Sequence, residues 1–300
     1  MQAGKAEWFG DRIRRVLAPN PSPMTGPGTN TYLIGSGSEL LVVDPGPAIP
    51  DHLQAIMGAL QSGEQNTKIV VTHAHADHSS LARGLQAQTG AEILAFGTAG
   101  EARSPIMRNL AEAGLTGGGE GVDLAFAPDR RITDGETISG PWGHVVALHC
   151  PGHMAEHLCL SCDGILFSGD HAMGWSTSLV SPPDGDMGAY MRSLERLMAS
   201  DWHLMLPGHG KEVRPVAERL SELYRHRQMR EQVIRDTLTQ GPASPFQLAE
   251  QLYLDTPAAL LPAATRNILA HLIDLVDRNV VACDSGIGPD QLFRLHRCEA

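Results

Sequence analysis

The sequence predicts an α/β domain followed by a small, mainly helical domain. Over residues 11–210, short apolar runs alternate with stretches at helical spacing, and Gly, Pro, Asn and Asp separate them. After Gly210 the strand patterns give way to helical ones that close with a short β-like pair. The 300 residues are 42% apolar and 19% charged, which is typical of globular chains and excludes a disordered or collagen-like protein.

The first hundred residues predict strands that lead into helices. The runs TYLIG and ELLVVDPG flank Gly35-Ser36-Gly37, which predicts a β-hairpin. Asp51 is expected to cap a helix over residues 52–60. KIVVTHAH predicts a short strand that runs into a His cluster, and a helix over 79–88 then ends at Gly90. AEILAFG predicts the next strand.

The middle of the chain is less regular. Residues 98–121 show no clear period, and their Gly117-Gly118-Gly119 run lacks the spacing of a phosphate-binding loop, so we expect a mobile lid segment near the site. Residues 136–150 and 157–168 each predict one strand. Residues 187–198 place Met, Leu and Tyr at helical spacing, which predicts a helix that packs on the core. WHLMLPGHG predicts a final strand.

The C-terminal region predicts a separate unit. One long amphipathic helix over 215–239 ends at Gly241-Pro242, and three helical segments and a β-like pair near 280–283 and 291–295 follow. We therefore expect a catalytic domain over residues 1–214 and a linker helix with a winged-helix-like domain over 215–300.

Charge and cysteine content narrow the function classes. The net charge is −11, and residues 1–210 carry 12 basic and 22 acidic side chains, which does not favour a large nucleic-acid surface. Five scattered Cys do not form a disulfide framework, and Cys159 and Cys162 should lie on opposite faces of one strand. No signal-peptide pattern or run of 18 apolar residues occurs, so we expect a cytoplasmic protein that does not associate with membranes.

The strongest signal is the motif Thr72-His73-Ala74-His75-Ala76-Asp77-His78. Four side chains of metal-binding type, three His and one Asp, lie within six residues, directly after an apolar strand. Alternate side chains of a strand share a face, so His73 and His75 are expected on one side. Imidazole and carboxylate are ligands that Zn²⁺ prefers. One short loop does not complete two metal sites, so further ligands must come from elsewhere.

Three further candidate ligands each follow a predicted strand and lie next to glycine, which permits a sharp turn. These residues are His153, Asp170 and His209. Together with the motif they provide five His and two Asp, which is enough for two metal ions that share one carboxylate.

The motif and its three downstream elements, in this order, resemble the metallo-β-lactamase superfamily over about residues 11–215. The resemblance implies an αββα metallo-β-lactamase sandwich with a metal pair at one edge. It implies one metal ion on His73, His75 and His153 and a second on Asp77, His78 and His209, with Asp170 bridging them. Asp44 would orient one of the ligands. The implied cofactor is two Zn²⁺, with iron or manganese as alternatives.

The expected reaction is hydrolysis by a hydroxide that bridges the two metals. Asp77 and Asp170 are the candidate catalytic residues, with Asp77 orienting the hydroxide. Antibiotic-hydrolysing lactamases most often carry Cys or Ser at the position of Asp170, whereas a bridging Asp accompanies hydrolases of thioesters, lactones and phosphodiesters. We therefore expect a thioester, ester or lactone of a small molecule as substrate.

Residues outside the ligands leave alternatives open. The segments Asn20–Met24 and Gly28–Leu33, with His226-Arg227 and Arg230-Glu231, resemble the lactamase-β-like or glyoxalase II-like hydrolases with a C-terminal winged helix. That group includes a mitochondrial endoribonuclease, so cleavage of single-stranded RNA is the alternative. A winged-helix module that binds nucleic acid is a third reading, and neither nucleic-acid reading is favoured. The C-terminal unit could instead form a lid or a homodimer contact.

Four arginines of the long helix form the one basic cluster, which is either a nucleic-acid contact or a solvated face paired with Glu222 and Glu231. They are Arg225, Arg227, Arg230 and Arg235.

Several polar residues near the ligands have two readings. His171 either lines the pocket or faces solvent, whereas His157 is expected to be a buried, hydrogen-bonded residue. Residues 175–177 lie either at the pocket rim or in a structural turn.

Overall fold

The computed structural model describes residues 1–117, 121–254 and 257–296. The run Gly117–Gly119, in which we expected a lid, reaches into the first gap, so that expectation lies outside the described residues.

Strand bounds follow the apolar runs of the sequence. The strands are β1 (Ala6–Phe9), β2 (Ile13–Leu17), β3 (Asn30–Ile34), β4 (Glu39–Val43), β5 (Gln65–Val70), β6 (Glu92–Ala95), β7 (Arg130–Arg131), β8 (Thr137–Gly140), β9 (Gly143–His149), β10 (Leu158–Cys162), β11 (Ile165–Gly169), β12 (Leu204–Pro207), β13 (Val281–Ala282) and β14 (Arg294–Leu295).

The helices lie between these strands and after them. The helices are α1 (Pro50–Gly58), α2 (Ala76–Ser79), α3 (Ala82–Thr89), α4 (Pro105–Glu112), α5 (Met187–Met198), α6 (Val216–Leu238), α7 (Pro245–Leu252) and α8 (Leu261–Asp277), and a 3₁₀ turn over Ala258–Leu260 precedes α8.

Two sheets face each other with helices on both outer sides, which confirms the αββα sandwich. Strands β1 to β7 form one sheet in chain order, and the other has the order β12-β11-β10-β9-β8. In β4, Leu41 and Val43 face the second sheet, while Leu40 and Val42 pack with α1 and α3. Burial on both faces explains why ELLVV is apolar throughout and does not alternate.

The second sheet buries its outer face under helices α5 and α6. Tyr190 and Leu194 of α5 pack there with Leu220 and Leu223 of α6. As predicted, Cys162 faces the core between the sheets, while Cys159 faces the helices. The cysteines therefore cannot act as a pair on one face.

The C-terminal unit adds a further core, in which Leu248, Ile268, Leu272 and Phe293 pack together with Met107 of α4. By length and composition alone, the stretch Ala258–Asp277 would suffice to cross a membrane, but half of it is buried inside the protein. Helix α6 contributes to both cores, with Leu220 in one and Ile234 in the other. The boundary between residues 214 and 215 stays a prediction.

Several local predictions were wrong. Asp51 does not cap α1, because Ile49 is the capping residue and Asp51 lies in the first turn. Residues 136–150 and 157–168 each form two strands, not one. The unplaced region contains α4, whose start is capped by Ser104. The hairpin of β3 and β4, the stop at Gly90, α5 and α6 are confirmed.

Candidate metal centre

All seven candidate ligands lie just beyond the carboxyl ends of strands. The motif at 73–78 follows β5, His153 follows β9, Asp170 follows β11 and His209 follows β12. The ends of these strands meet at one edge of the sandwich, since β11 and β12 are parallel and the ligand atoms that follow β5 lie within 4.8 Å of those that follow β9, β11 and β12. The edge collects side chains that are up to 136 residues apart in the sequence, from His73 to His209.

The first group of ligands is His73, His75, His153 and Asp170. Nδ1 of His75 lies 3.0 Å from Nε2 of His73 and 3.0 Å from Nε2 of His153. Oδ2 of Asp170 lies 4.0 Å from Nε2 of His73 and 3.8 Å from Nε2 of His153. Three ring nitrogens and one carboxylate oxygen therefore converge on a single point.

The second group is Asp77, His78 and His209. Nε2 of His78 lies 3.3 Å from Nε2 of His209, and Oδ2 of Asp77 lies 3.3 Å from the latter atom. Asp170 reaches this group as well, with Oδ1 at 3.4 Å from His78 and Oδ2 at 3.2 Å from His209. Asp170 thus occupies the position that a carboxylate shared by two ions requires.

The donor set fits a pair of divalent cations. A single proton can form a hydrogen bond between two of the three convergent nitrogens in the first group, which leaves the third nitrogen without a partner. A tetrahedral ion with bonds of about 2.0–2.1 Å would instead bind all of them, with donors roughly 3.3 Å apart. Oδ1 of Asp170 is buried and has no hydrogen-bond partner among the residues that the structure describes. A buried carboxylate oxygen without a hydrogen-bond partner destabilises the folded protein, and a bound cation would supply the missing partner.

Three of the histidines, His78, His153 and His209, are oriented through the ring nitrogen that faces away from the group. Nδ1 of His153 lies 2.7 Å from the carbonyl oxygen of Leu179, and Nδ1 of His209 lies 3.2 Å from that of Gly28. Nδ1 of His78 lies 2.9 Å from Oδ2 of Asp44. Such contacts set the tautomer and the direction of a histidine ligand.

Asp44 contacts two parts of the motif, as expected for an acid that orients a metal ligand. Its carboxylate accepts hydrogen bonds from the backbone N–H and the hydroxyl of Thr72, at 2.7 and 2.8 Å. The Thr72 hydroxyl in turn lies 2.9 Å from Nδ1 of His73. Asp44 therefore acts on His78 directly and on His73 through Thr72.

Electrostatics divide the two groups. Burial, together with the neighbouring histidines, lowers the pKa of His73, and burial with His153 lowers the pKa of His75 to about 3. Burial also acts to lower the pKa of His209, but Asp170 and Asp77 outweigh it and raise that pKa to about 9. The first group therefore offers neutral rings, whereas metal binding at the second must displace a proton from His209.

Position 208 must be glycine, because two of the candidate ligands lie close to its Cα atom. A Cβ atom there would lie 2.4 Å from Oδ1 of Asp170 and 2.8 Å from Cε1 of His78. Any side chain at this position would displace a ligand, which explains the glycine next to His209.

A cleft of about 630 Å³ opens above the ligands. Its wall is mostly apolar and comes from three parts of the chain: the N-terminal loop (Pro23, Met24), the loop after Asp170 (Met173, Trp175, Leu179) and the start of the C-terminal unit (Leu260, Pro262, Ala263). Residues 175–177 thus lie at the rim, one of the two expected positions. The contribution of the C-terminal unit agrees with the lid alternative, although nothing in the local sequence indicated which of its residues would reach the site.

His157 is confirmed as a buried, hydrogen-bonded residue, since its Nε2 accepts a hydrogen bond from the backbone N–H of Asp170 at 3.1 Å. Both readings of His171 were wrong. It is fully buried against Tyr190, with 4.6 Å between the ring centroids, and burial lowers its pKa to about 3.

The four arginines of α6 do not form a basic cluster. Arg227 is buried, and Arg235 lies 3.9 Å from Glu231. Arg219, not one of the four, pairs with Glu222 at 2.9 Å. The solvated-face reading is thus wrong for Arg227, whose burial no local sequence pattern indicates.

Comparison with known proteins agrees with this geometry. Residues 24–209 match the family described as Metallo-beta-lactamase superfamily, and residues 244–288 match the Beta-lactamase associated winged helix domain. A relative named Beta-lactamase-like protein 2 homolog, from Caenorhabditis elegans, is 31% identical over 92% of this chain and 88% of its own length.

Solved structures show the same fold. A beta-lactamase domain protein from Burkholderia ambifaria superposes with a TM-score of 0.79 and 22% identity, over 98% of this chain and 94% of that one. TTHA1623, solved in a di-iron-bound form, superposes with a TM-score of 0.50 and 25% identity, over 66% of this chain and 93% of that one.

Proposed function

Because this chain belongs to the metallo-beta-lactamase superfamily, whose members are generally metal-dependent hydrolases, we propose that it hydrolyses a thioester, ester or lactone of a small molecule at a binuclear metal centre. The observation that carries the proposal is the apolar cleft directly above the two ligand groups. The cytoplasmic location and the homodimer stay predictions.

The cleft favours an apolar acyl group. Met24, Met173 and Leu179 lie on its wall, and Trp175 is 45% exposed there. Such surface gains free energy by covering apolar substrate atoms, at about 25 cal/mol per Å². Clefts of this size and character are typical of sites for small molecules.

Protein side chains supply binding, orientation and charge. Bound ions of this kind lower the pKa of water and stabilise negative charge that develops on oxygen. His73, His75, His153 and Asp170 would hold one ion, and Asp77, His78, His209 and Asp170 the other. The carboxylate of Asp77 lines the cleft and has a pKa held low by His78 and His209 against the effect of burial, so it can accept a hydrogen bond from the attacking water.

We propose zinc as the metal. The donors are imidazole and carboxylate, which suit Zn²⁺, and the same set also suits iron or manganese. Metal analysis of protein grown with all three metals available distinguishes these.

RNA is the less favoured substrate. A polynucleotide needs several contacts between cationic side chains and phosphates. Among the described residues that line the cleft, Arg266 is the one lysine or arginine, and its guanidinium donates to the carbonyl oxygens of Thr116 and Pro182.

The test is a hydrolysis panel on metal-loaded protein, with acyl thioesters, lactones and a short single-stranded RNA. We expect turnover of a thioester, ester or lactone, and a loss of at least about 100-fold in Asp170→Ala, because that change removes a ligand of both groups. The matched control is Asp201→Ala, an exposed acid near the amino end of β12, at the other end of that strand from His209.

Two outcomes would contradict the proposal. Cleavage of RNA alone, lost in Asp170→Ala, would assign the endoribonuclease activity instead. Full metal content and full hydrolysis in Asp170→Ala would show that the site is elsewhere.

A further inference from the structure

A short segment between Asp170 and α5 connects the metal centre to the C-terminal unit. We call the three residues Ser178, Leu179 and Val180 the strap. Ser178 and Val180 are fully buried, and Leu179 is 8% exposed. Each residue of the strap makes a polar contact that reaches another part of the molecule.

On one side the strap holds two metal-ligand candidates. The carbonyl oxygen of Leu179 accepts a hydrogen bond from Nδ1 of His153 at 2.7 Å. The hydroxyl of Ser178 lies 2.5 Å from the carbonyl oxygen of Asp170 and 3.0 Å from that of His171. The position of the strap therefore sets the direction of the His153 ring and the start of the loop after Asp170.

On the other side the C-terminal helices hold the strap. Nη2 of Arg227, on α6, donates to the carbonyl oxygen of Ser178. Oδ1 of Asn267, on α8, accepts from the backbone N–H of Val180 at 3.0 Å and from Nη1 of Arg227 at 3.4 Å. One guanidinium and one amide thus connect both helices to adjacent parts of the strap.

Arg227 is an unusual residue to bury. It is 2% exposed, and no ion pair joins it to a carboxylate of the described residues. Its charge lies over the ring of Tyr190, 5.1 Å from the centroid, and the Tyr190 hydroxyl donates to the carbonyl oxygen of His171 at 3.0 Å. Burying a cation without a counter-charge is unfavourable, so packing alone does not account for the position of Arg227.

The chemistry of the side chain explains why arginine is present. A guanidinium has donors fixed in a planar fork and stays charged when it is buried. It can therefore reach the Ser178 carbonyl oxygen and the Asn267 amide oxygen together while its face rests on Tyr190. A lysine can supply one of these contacts but not both in the same geometry.

We propose that Arg227 and Asn267 are positioning residues that fix His153 through the strap and so make the metal affinity of the first ligand group depend on the C-terminal unit. This inference rests on the proposed function, since it requires that His153 binds an ion. It assigns the C-terminal unit a role at the metal centre in addition to its part in the cleft wall.

The experiment compares four full-length proteins: wild type, Arg227→Met, Arg227→Lys and the matched control Arg230→Met. Arg230 lies one turn further along α6 and is half-buried. Its guanidinium contacts the Tyr253 ring at 4.2 Å and the Leu252 carbonyl oxygen at 3.3 Å, within the C-terminal unit and away from the strap. The affinity for each of two Zn²⁺ ions is measured by competition with a chromophoric chelator, and Co²⁺ spectra report the ligand geometry.

We expect Arg227→Met to weaken the binding of one ion about tenfold and to change the Co²⁺ spectrum, while Arg230→Met leaves both unchanged. Arg227→Lys should recover part of the affinity. An equal loss of metal affinity in Arg227→Met and Arg230→Met would indicate general destabilisation. It would overturn this inference but not the proposed function. Wild-type protein that binds no metal would overturn the proposed function as well.

Asn267→Ala provides the same test if Arg227→Met does not fold. Asn267 is only partly buried, and its replacement removes the acceptor for the Val180 N–H while Arg227 stays in place. We expect a loss of affinity of about threefold to tenfold for the same ion. Wild-type affinity for both ions in Asn267→Ala would overturn the inference.

Discussion

Glu156 is a buried carboxyl group next to the metal motif that takes no part in ligand binding. It is 1% exposed and pairs with no cation of the described chain. Its oxygens lie 3.4 Å from the backbone N–H groups of Ala74, within the motif, and of Gly100. Burial, with a smaller contribution from Asp184, raises its pKa to about 7 against the weaker effect of these N–H groups.

This pKa predicts how stability depends on pH. Between the usual pKa of 4.5 and about 7 the folded protein binds more protons at Glu156 than the unfolded chain does. The free energy of unfolding should therefore fall through that range, by an amount on the order of 3 kcal/mol, and stay lower above it. Glu156→Gln has no such proton, so its stability relative to wild type should rise between pH 4.5 and 8 in urea unfolding.

The candidate histidine ligands titrate in both proteins, so their contribution cancels in the difference between the two free energies of unfolding. Glu112→Gln, an exposed residue at the end of α4, is the control and should follow wild type at every pH. A constant difference in stability between Glu156→Gln and wild type across this range would contradict the prediction.

At the scale of elements, turns account for most of the errors. Residues 157–168 were predicted as one strand, yet Asp163-Gly164 separates β10 from β11 with both residues at positive φ. Asp-Gly is a well-known hairpin signal, so this turn was predictable. The turn between β8 and β9 has Pro141-Trp142 in place of such a pair, and α4 has only Ser104-Pro105 as its start signal.

The start of α8 is an element whose effect on substrate can be measured. Leu260 lies on the wall of the cleft, at the end of the 3₁₀ turn that leads into α8. Leu260→Ala should raise KM for an apolar acyl substrate up to about tenfold and leave kcat within about twofold, because roughly 1 kcal/mol of apolar contact is lost far from the reacting bond.

Steady-state kinetics on a series of acyl chain lengths checks this prediction. The matched control is Leu254→Ala, since Leu254 is 82% exposed and does not line the cleft. An unchanged KM in Leu260→Ala for the longest acyl chain would show that the substrate does not reach the C-terminal wall.

At the scale of the whole molecule, the candidate metal centre connects the two sheets and the C-terminal unit. Its ligands come from both sheets, and the strap extends the connection to the C-terminal helices. The unfolded chain does not hold these groups together, so ions bound at this centre would favour the folded state.

Metal removal should therefore lower the melting temperature. At an ion concentration about 1000-fold above Kd, binding contributes about 4 kcal/mol, which corresponds to a shift of roughly 8 °C or more. Calorimetry with and without a chelator measures this shift. Asp170→Ala should show a much smaller chelator effect, and an equal shift in both proteins would contradict a metal centre at these residues.

The sequence by itself determined the type of fold and the identity of the candidate ligands. Both are recorded locally: apolar runs define strands, and the side chains directly after them include His73, His153 and His209. Because a chain that leaves a strand must turn at a sheet edge, adjacency in sequence placed these residues at strand ends, and the resemblance to the metallo-β-lactamase superfamily implied that those ends share one edge.

Only the tertiary structure decided what surrounds the ligands. The burial of Arg227 and His171, the strap and the wall formed by Leu260 depend on contacts between segments that are far apart in the sequence. An arginine on an amphipathic helix has the same local pattern whether it faces solvent or a buried carbonyl oxygen, so only the packing of α6 and α8 against the loop after Asp170 distinguishes the two.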